Sequence, residues 1–220
     1  MAAIEVPRID GPWRALFVPS RYGRYVNDHS LIRGADGAWH LFGITSHAEE
    51  DFSERERYFV HARGASLDGP MEEVGKGCDI GVRAWAPGVI AHGGRYYMYY
   101  GPSPTRFATS DELGHWMENE VELRDAPLDA AHRDHFVLEV EPGRWLMYAT
   151  GIAERMGVVP VFESDDLRVW RFVRYALRTA GAAPLRPPWG ATESPGVVAR
   201  GGAFFLFVTY TDCSPQTYHD

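Results

Sequence analysis

At 220 residues and a formal net charge of −8, the chain has length for one sizeable domain or at most two small ones. Its acidic balance and lack of any basic run exclude nucleic acid as an expected partner, because duplex backbones are held by Lys and Arg that displace counterions. The 45% hydrophobic content is ordinary for a globular protein, and no apolar run approaches the roughly 18 residues of a membrane span.

The opening MAAIEVPRIDGPW has no basic segment followed by an apolar core, so no secretory leader is expected and the predicted compartment is the cytoplasm. Two cysteines, Cys78 and Cys213, make no disulfide framework. They are free to pair or to stay apart.

A repeat then runs along the chain. Four segments each read as a short apolar strand, a Gly-containing turn and an aromatic-rich strand: 30–45, 88–101, 136–151 and 196–209. Their turn glycines Gly37, Gly94, Gly143 and Gly202 align, at spacings of 57, 49 and 59 residues. Asp36-Gly37, Gly93-Gly94 and Gly201-Gly202 tolerate the positive φ of tight hairpins. The flanking runs are β-branched and aromatic, as strands are.

A third strand is expected at 106–110 and at 158–164. Each runs into a matching turn, Ser110-Asp111-Glu112-Leu113 with Trp116 and Ser164-Asp165-Asp166-Leu167 with Trp170; blade one has a looser version at Ser66-Leu67-Asp68. The Ser and Asp side chains suit capping of such turns, and the Trp is expected between neighbouring sheets. Helical patterning is nearly absent; residues 51–57 have length for one turn of helix. Repeats of this size holding three or four strands are the signature of propeller blades. The predicted fold is therefore an all-β propeller, with residues 1–220 as a single domain. A β-sandwich built from the same hairpins is the alternative. The fourth unit stops at Asp220 after about two strands, so a five-bladed ring would lack its C-terminal part, and an open ring would invite self-association through its free edge.

Three acids fall just ahead of the first strand of a blade: Asp28 in Asn27-Asp28-His29, Asp134 in Arg133-Asp134-His135, and Glu193 in Thr192-Glu193-Ser194-Pro195. They are read as occupying the same repeat position. In blade two, Arg83-Ala84-Trp85-Ala86-Pro87-Gly88 fills that slot without an acid. First strands line a propeller's central channel, so these residues are predicted to converge on one sugar-sized pocket. Crowded carboxyls raise each other's pKa, which suits a pair in which one donates a proton and the other acts as base or nucleophile. The plainer reading is that Asp at such a position is a turn residue. Arg83 and Arg133 are placed to offset the charge, and Trp39 and Trp85 are candidates for stacking on a sugar ring. Of the nine histidines, none forms a compact metal-binding pair; His29 and His135 follow the two Asp and are predicted to face the channel. No metal site is assigned. There is no Gly-x-Ser-x-Gly elbow, no dinucleotide or phosphate-binding glycine motif, and no partner for Cys213 as a nucleophile.

These residues resemble the five-bladed furanosidase clan that joins glycoside hydrolase families 43 and 32. Asn27-Asp28 is similar to the Asn-Asp-Pro of family 32, Arg133-Asp134 to its Arg-Asp-Pro, Glu193-Ser194-Pro195-Gly196 to the motifs carrying the general acid, and Trp85-Ala86-Pro87 to a Trp-Ala-Pro element of family 43. The resemblance runs from about Tyr25 onward. His29 and His135 replace the expected prolines and Ser194 replaces Cys or Gly. It implies a glycosidase of arabinofuranosidase, xylosidase or fructosidase type acting on a small oligosaccharide or glycoside. Asp28 would be base or nucleophile, Asp134 would hold a sugar hydroxyl and tune the acid, and Glu193 would be the acid. Asn27, His29, Trp39, Arg83, Trp85, Arg133 and His135 would contact substrate. No cofactor is implied beyond the calcium ion that some family 43 members hold in the channel. Two other readings stand beside it: a carbohydrate-binding propeller without catalysis, and a propeller recruited to non-glycosidic metabolite chemistry.

Overall fold

The computed structural model describes residues 11–20, 23–46, 56–75, 77–79, 83–128, 130–179 and 192–210. The predicted turn at 51–55, Cys213, His219 and Asp220 lie outside the described residues. Within them the chain is all β, in four antiparallel units that follow the sequence repeat.

The first sheet holds β1 (Asn27–Arg33), β2 (Trp39–Thr45), β3 (Tyr58–Gly64) and β4 (Glu72–Glu73) in that order, with β5 (Cys78–Asp79) also against β3. The second holds β6 (Trp85–His92), β7 (Arg95–Gly101), β8 (Arg106–Ser110) and β9 (Met117–Asn119). The third runs β11 (Ala130–Glu141), β12 (Arg144–Ala153), β13 (Met156–Ser164) and β14 (Val169–Arg178), and β10 (Glu122–Arg124) adds parallel to β14 at its outer edge. The fourth is a hairpin of β15 (Thr192–Arg200) and β16 (Ala203–Tyr210). Three blades and one hairpin are therefore present. The first strands stand side by side, β1 beside β6, β6 beside β11 and β11 beside β15. A closed five-bladed ring is not what the described residues form.

The hairpin turns are as the sequence predicts. Gly37, Gly94, Gly143 and Gly202 all have φ between 75° and 80°, a conformation in which a Cβ would be strained. The outer turns repeat as well. Ser110 Oγ accepts hydrogen bonds from the amides of Glu112 and Leu113, and Ser164 Oγ from those of Asp166 and Leu167. Leu113 and Leu167 take the same positive φ, 66° and 63°, and both are buried.

The core lies between blades, because each strand alternates its side chains between two sheet faces. In β7, Tyr96, Met98 and Tyr100 pack with Phe42, Ile44 and Phe59 of blade one, with Leu113 and Trp116 closing the cluster. Tyr97 and Tyr99 face the other way, onto Trp145, Met147, Phe162 and Trp170 of blade three. Trp170 is fully buried edge-on to Tyr99, ring centroids 5.7 Å apart, and the Tyr99 hydroxyl donates to the Leu167 carbonyl at 2.6 Å. Tyr148, Val159, Val161 and Val197 join blades three and four. The expectation that the repeat Trp residues sit between sheets holds for both Trp116 and Trp170.

Candidate functional site

Each first strand carries the same irregularity near its start. The register slips by one residue between Asn27 and His29, Trp85 and Gly88, Arg133 and Phe136, and Glu193 and Gly196. One residue in each bulge has positive φ: Asp28 (31°), Ala86 (49°), Asp134 (57°) and Ser194 (51°). Left-handed backbone is costly for Ala and Ser and milder for Asp. Four bulges in four blades therefore set four side chains at one end of the channel, where β-bulges commonly re-aim residues.

This register corrects the sequence alignment of the acids. Asp28 and Asp134 are equivalent to each other, but the fourth-blade residue in their position is Ser194. Glu193 stands one place earlier, level with Asn27, Trp85 and Arg133. In blade two Ala86, not Arg83, fills the Asp position.

A cavity of about 340 Å³ opens at this end. Asp28, His29, Asp134, His135 and Ser194 line it, with Ala86 to Ile90 of β6 forming a wall. Close approach of blades two and three depends on Gly88, where an added Cβ would meet the His135 carbonyl oxygen at 2.0 Å. Glu193 does not line the cavity itself. Its carboxylate accepts a hydrogen bond from Arg133 Nη2, while Arg133 Nε lies 3.4 Å from Asp134 Oδ1. Asp134 Oδ2 accepts from the Ser194 amide at 2.9 Å. A buried Arg133 thus ties the acids of blades three and four into one network.

Two of the acids are held above the usual carboxylate range. Burial, then the charges of Asp134 and Glu193, push Asp28 up to about 7. Glu193 is also raised, by burial first, with Asp134 adding to the rise and Arg133 opposing it. In the free protein burial and the neighbouring acids thus favour a protonated Asp28 up to near neutrality, and at Glu193 burial outweighs the Arg133 contact.

His135 is fully enclosed and held well below the usual imidazole range, at about 3, by burial and by His132. Thr105 Oγ1 bridges the two rings, 2.9 Å from His135 Nε2 and 2.7 Å from His132 Nδ1. Among the described residues no three His, Cys, Asp or Glu side chains are grouped to hold a metal ion.

The remaining predicted contacts divide. Asn27 is exposed beside the bulge and does not line the cavity. Trp85 packs against the core of blades one and two, with the Arg83 guanidinium 5.5 Å over its ring. Trp39 is misplaced by the sequence reading. It pairs with Arg33 at the hairpin end of blade one, opposite Asn27, and packs with Leu41, Val60 and Met71. Sequence reasoning missed Tyr25 and Glu56. The Tyr25 hydroxyl donates to Glu56 Oε1 at 2.5 Å, and Glu56 is a buried carboxyl whose charge reaches Asp28. Glu56 precedes an outer strand, where the repeat gives no signal for a polar residue.

No protein-family model matches the chain, and no curated protein matches it in sequence. Solved structures do. A sucrose-6-phosphate hydrolase from Lactobacillus gasseri superposes with a TM-score of 0.63 at 16% identity, covering 83% of this chain and 40% of its own. A thermostable family-43 glycoside hydrolase gives a TM-score of 0.61 at 17% identity, covering 86% of this chain and 64% of its own. An α-L-arabinanase from Cellvibrio cellulosa gives 0.58 at 15% identity, covering 86% and 65%. This chain spans less than two thirds of each of these three. At such identities the likeness is one of fold: the described strands are arranged as in these glycoside hydrolase structures.

Proposed function

We propose that the protein is a glycoside hydrolase acting by carboxylate acid–base catalysis on a furanoside-type bond in a small oligosaccharide or glycoside. The observation that carries this reading is the convergence of Asp28 and Asp134 on one cavity, with Glu193 linked to Asp134 through Arg133. A volume of about 340 Å³ matches a small-ligand site.

In the proposed reaction Glu193 gives its proton to the glycosidic oxygen as the bond from that oxygen to the anomeric carbon breaks. Water adds to the anomeric carbon and its proton passes to Asp28; in a retaining course Asp28 would attack first and water would follow. Asp134 holds a sugar hydroxyl. Burial raises the Glu193 carboxyl toward the protonated form this step needs, and the Arg133 contact opposes that rise. No cofactor is required. The proposed compartment is the cytoplasm, where the free Cys78 stays reduced, and self-association is proposed along the side of β16 that pairs with no described strand.

The test is hydrolysis of nitrophenyl furanosides, nitrophenyl pyranosides and sucrose-type sugars by wild type and by Glu193→Gln. Turnover lost in the variant, and regained on substrates with good leaving groups, supports the acid role. Absence of turnover on every substrate by the folded protein, with sugar binding retained, favours the second reading, a binding propeller. The Arg133–Glu193 pair is the observation behind that reading, since it engages the acid with a cation away from the cavity lining.

A further inference from the structure

The charges of Asp134 and Arg133 on β11, Glu193 on β15 and Glu56 in the segment leading into β3 all act on Asp28. His29 and His135 line the same cavity, and β6 contributes only Ala86, Pro87 and other uncharged residues to the wall. The Arg133 network accounts for three of these charged groups. Glu56 belongs to none of it.

Its position is nevertheless built. Glu56 is 5% exposed. The Tyr25 hydroxyl donates to its carboxylate, and Tyr25 is itself fixed by its amide on the Ser46 carbonyl at 3.2 Å and by Thr45 Oγ1 on its own carbonyl at 2.8 Å. Tyr25 lies three residues before Asp28. On the other side, the Glu56 carbonyl accepts from the Ala84 amide at 2.8 Å, two residues before Ala86. One residue therefore fastens the approaches to two of the four bulges, in blades one and two. A buried carboxylate is an expensive choice for a fastener that a neutral Gln could replace. The charge is the feature left to explain. Burial raises the Glu56 pKa and sets its net direction, with Tyr25, Trp85 and Arg83 opposing the rise.

We propose that Glu56 is a positioning residue of this pocket, which joins the approach to the Asp28 bulge of β1 to the approach to the Ala86 bulge of β6 and whose carboxyl, when ionised, acts on Asp28. The inference rests on the reading of Asp28 as the residue that handles the proton, but its test does not need turnover.

The test is the titration of the Asp28 side-chain carboxyl by carbon-13 NMR in wild type, Glu56→Gln and Tyr25→Phe. Glu56→Gln keeps an acceptor for Tyr25 and removes the charge, so the Asp28 midpoint moves to lower pH. Tyr25→Phe removes a donor from the carboxylate, so Glu56 takes a proton at higher pH and the Asp28 midpoint moves the same way by less. Asp36, held down at about 2 by the Ala38 amide and Arg63, is the internal control and stays put. An Asp28 midpoint unmoved in either folded variant overturns the proposal. Movement of Asp36 together with Asp28 also overturns it, because the effect would then be general loosening of blade one. Failure of the glycosidase assay leaves these midpoints readable, so the two ideas fail separately.

Discussion

Replacing Asp28 by Asn should stabilise the protein at alkaline pH. The folded state raises this carboxyl from 3.8 to about 7. Between those two values the folded chain holds a proton that the unfolded chain has released. Stability therefore falls as pH rises through that window and levels off above about 7. At ~1.4 kcal/mol per pH unit, the full shift corresponds to about 4 kcal/mol against the folded state at pH 8. Local relaxation and water entry reduce this, so an isosteric amide that cannot ionise should gain roughly 2–4 kcal/mol at pH 8 and well under 1 kcal/mol near pH 4. The assay is urea unfolding of wild type and Asp28→Asn at both pH values, with the m-value checked for constancy. Equal effects at the two pH values, or a variant less stable than wild type at pH 8, would refute the argument that Asp28 is held in an unfavourable charged state. The same variant should lose turnover if the proposed mechanism holds.

Other outcomes are expected. If Asp28 is the base, kcat/KM on a cleaved furanoside rises with pH along a limb centred at about 7, read from a pH–rate profile. Arg133→Leu leaves the buried Asp134 and Glu193 without their cation and should cost roughly 3–5 kcal/mol in denaturant unfolding; a neutral effect would mean that the pair is solvent-relaxed. Gly88→Ala places a methyl against the His135 carbonyl and should lower stability by about 1–3 kcal/mol, seen as a lower Tm, with loss of sugar binding as the cavity wall shifts. In a Cys213→Ser background, Cys78, pushed up to about 12 by burial, should resist a thiol reagent at pH 8 until the protein is unfolded.

Much of this protein is legible in its sequence because its information is local and repeated. The glycines at the four hairpins, the Ser-Asp-x-Leu turns and the Trp residues after them are each dictated by a few neighbouring residues, and each occurs where its pattern places it. The alternation in Tyr96-Tyr97-Met98-Tyr99-Tyr100 likewise settles that β7 is buried on both faces, whatever lies against it. Asp28 and Asp134 were found because the repeat sets them in register. Tertiary structure alone decided the rest. A β-bulge inserts one residue, and in a strand of period two a single residue separates one face from the other. Glu193 therefore falls beside Arg133 rather than beside Asp134, a difference no spacing along the chain reveals. Trp39 lies at the far end of a hairpin whose other end meets the cavity, since strand length sets position along the channel. Glu56 is joined to the approaches of Asp28 and Ala86 only because the Tyr25 hydroxyl and the Ala84 amide, far from it in sequence, reach it in the fold.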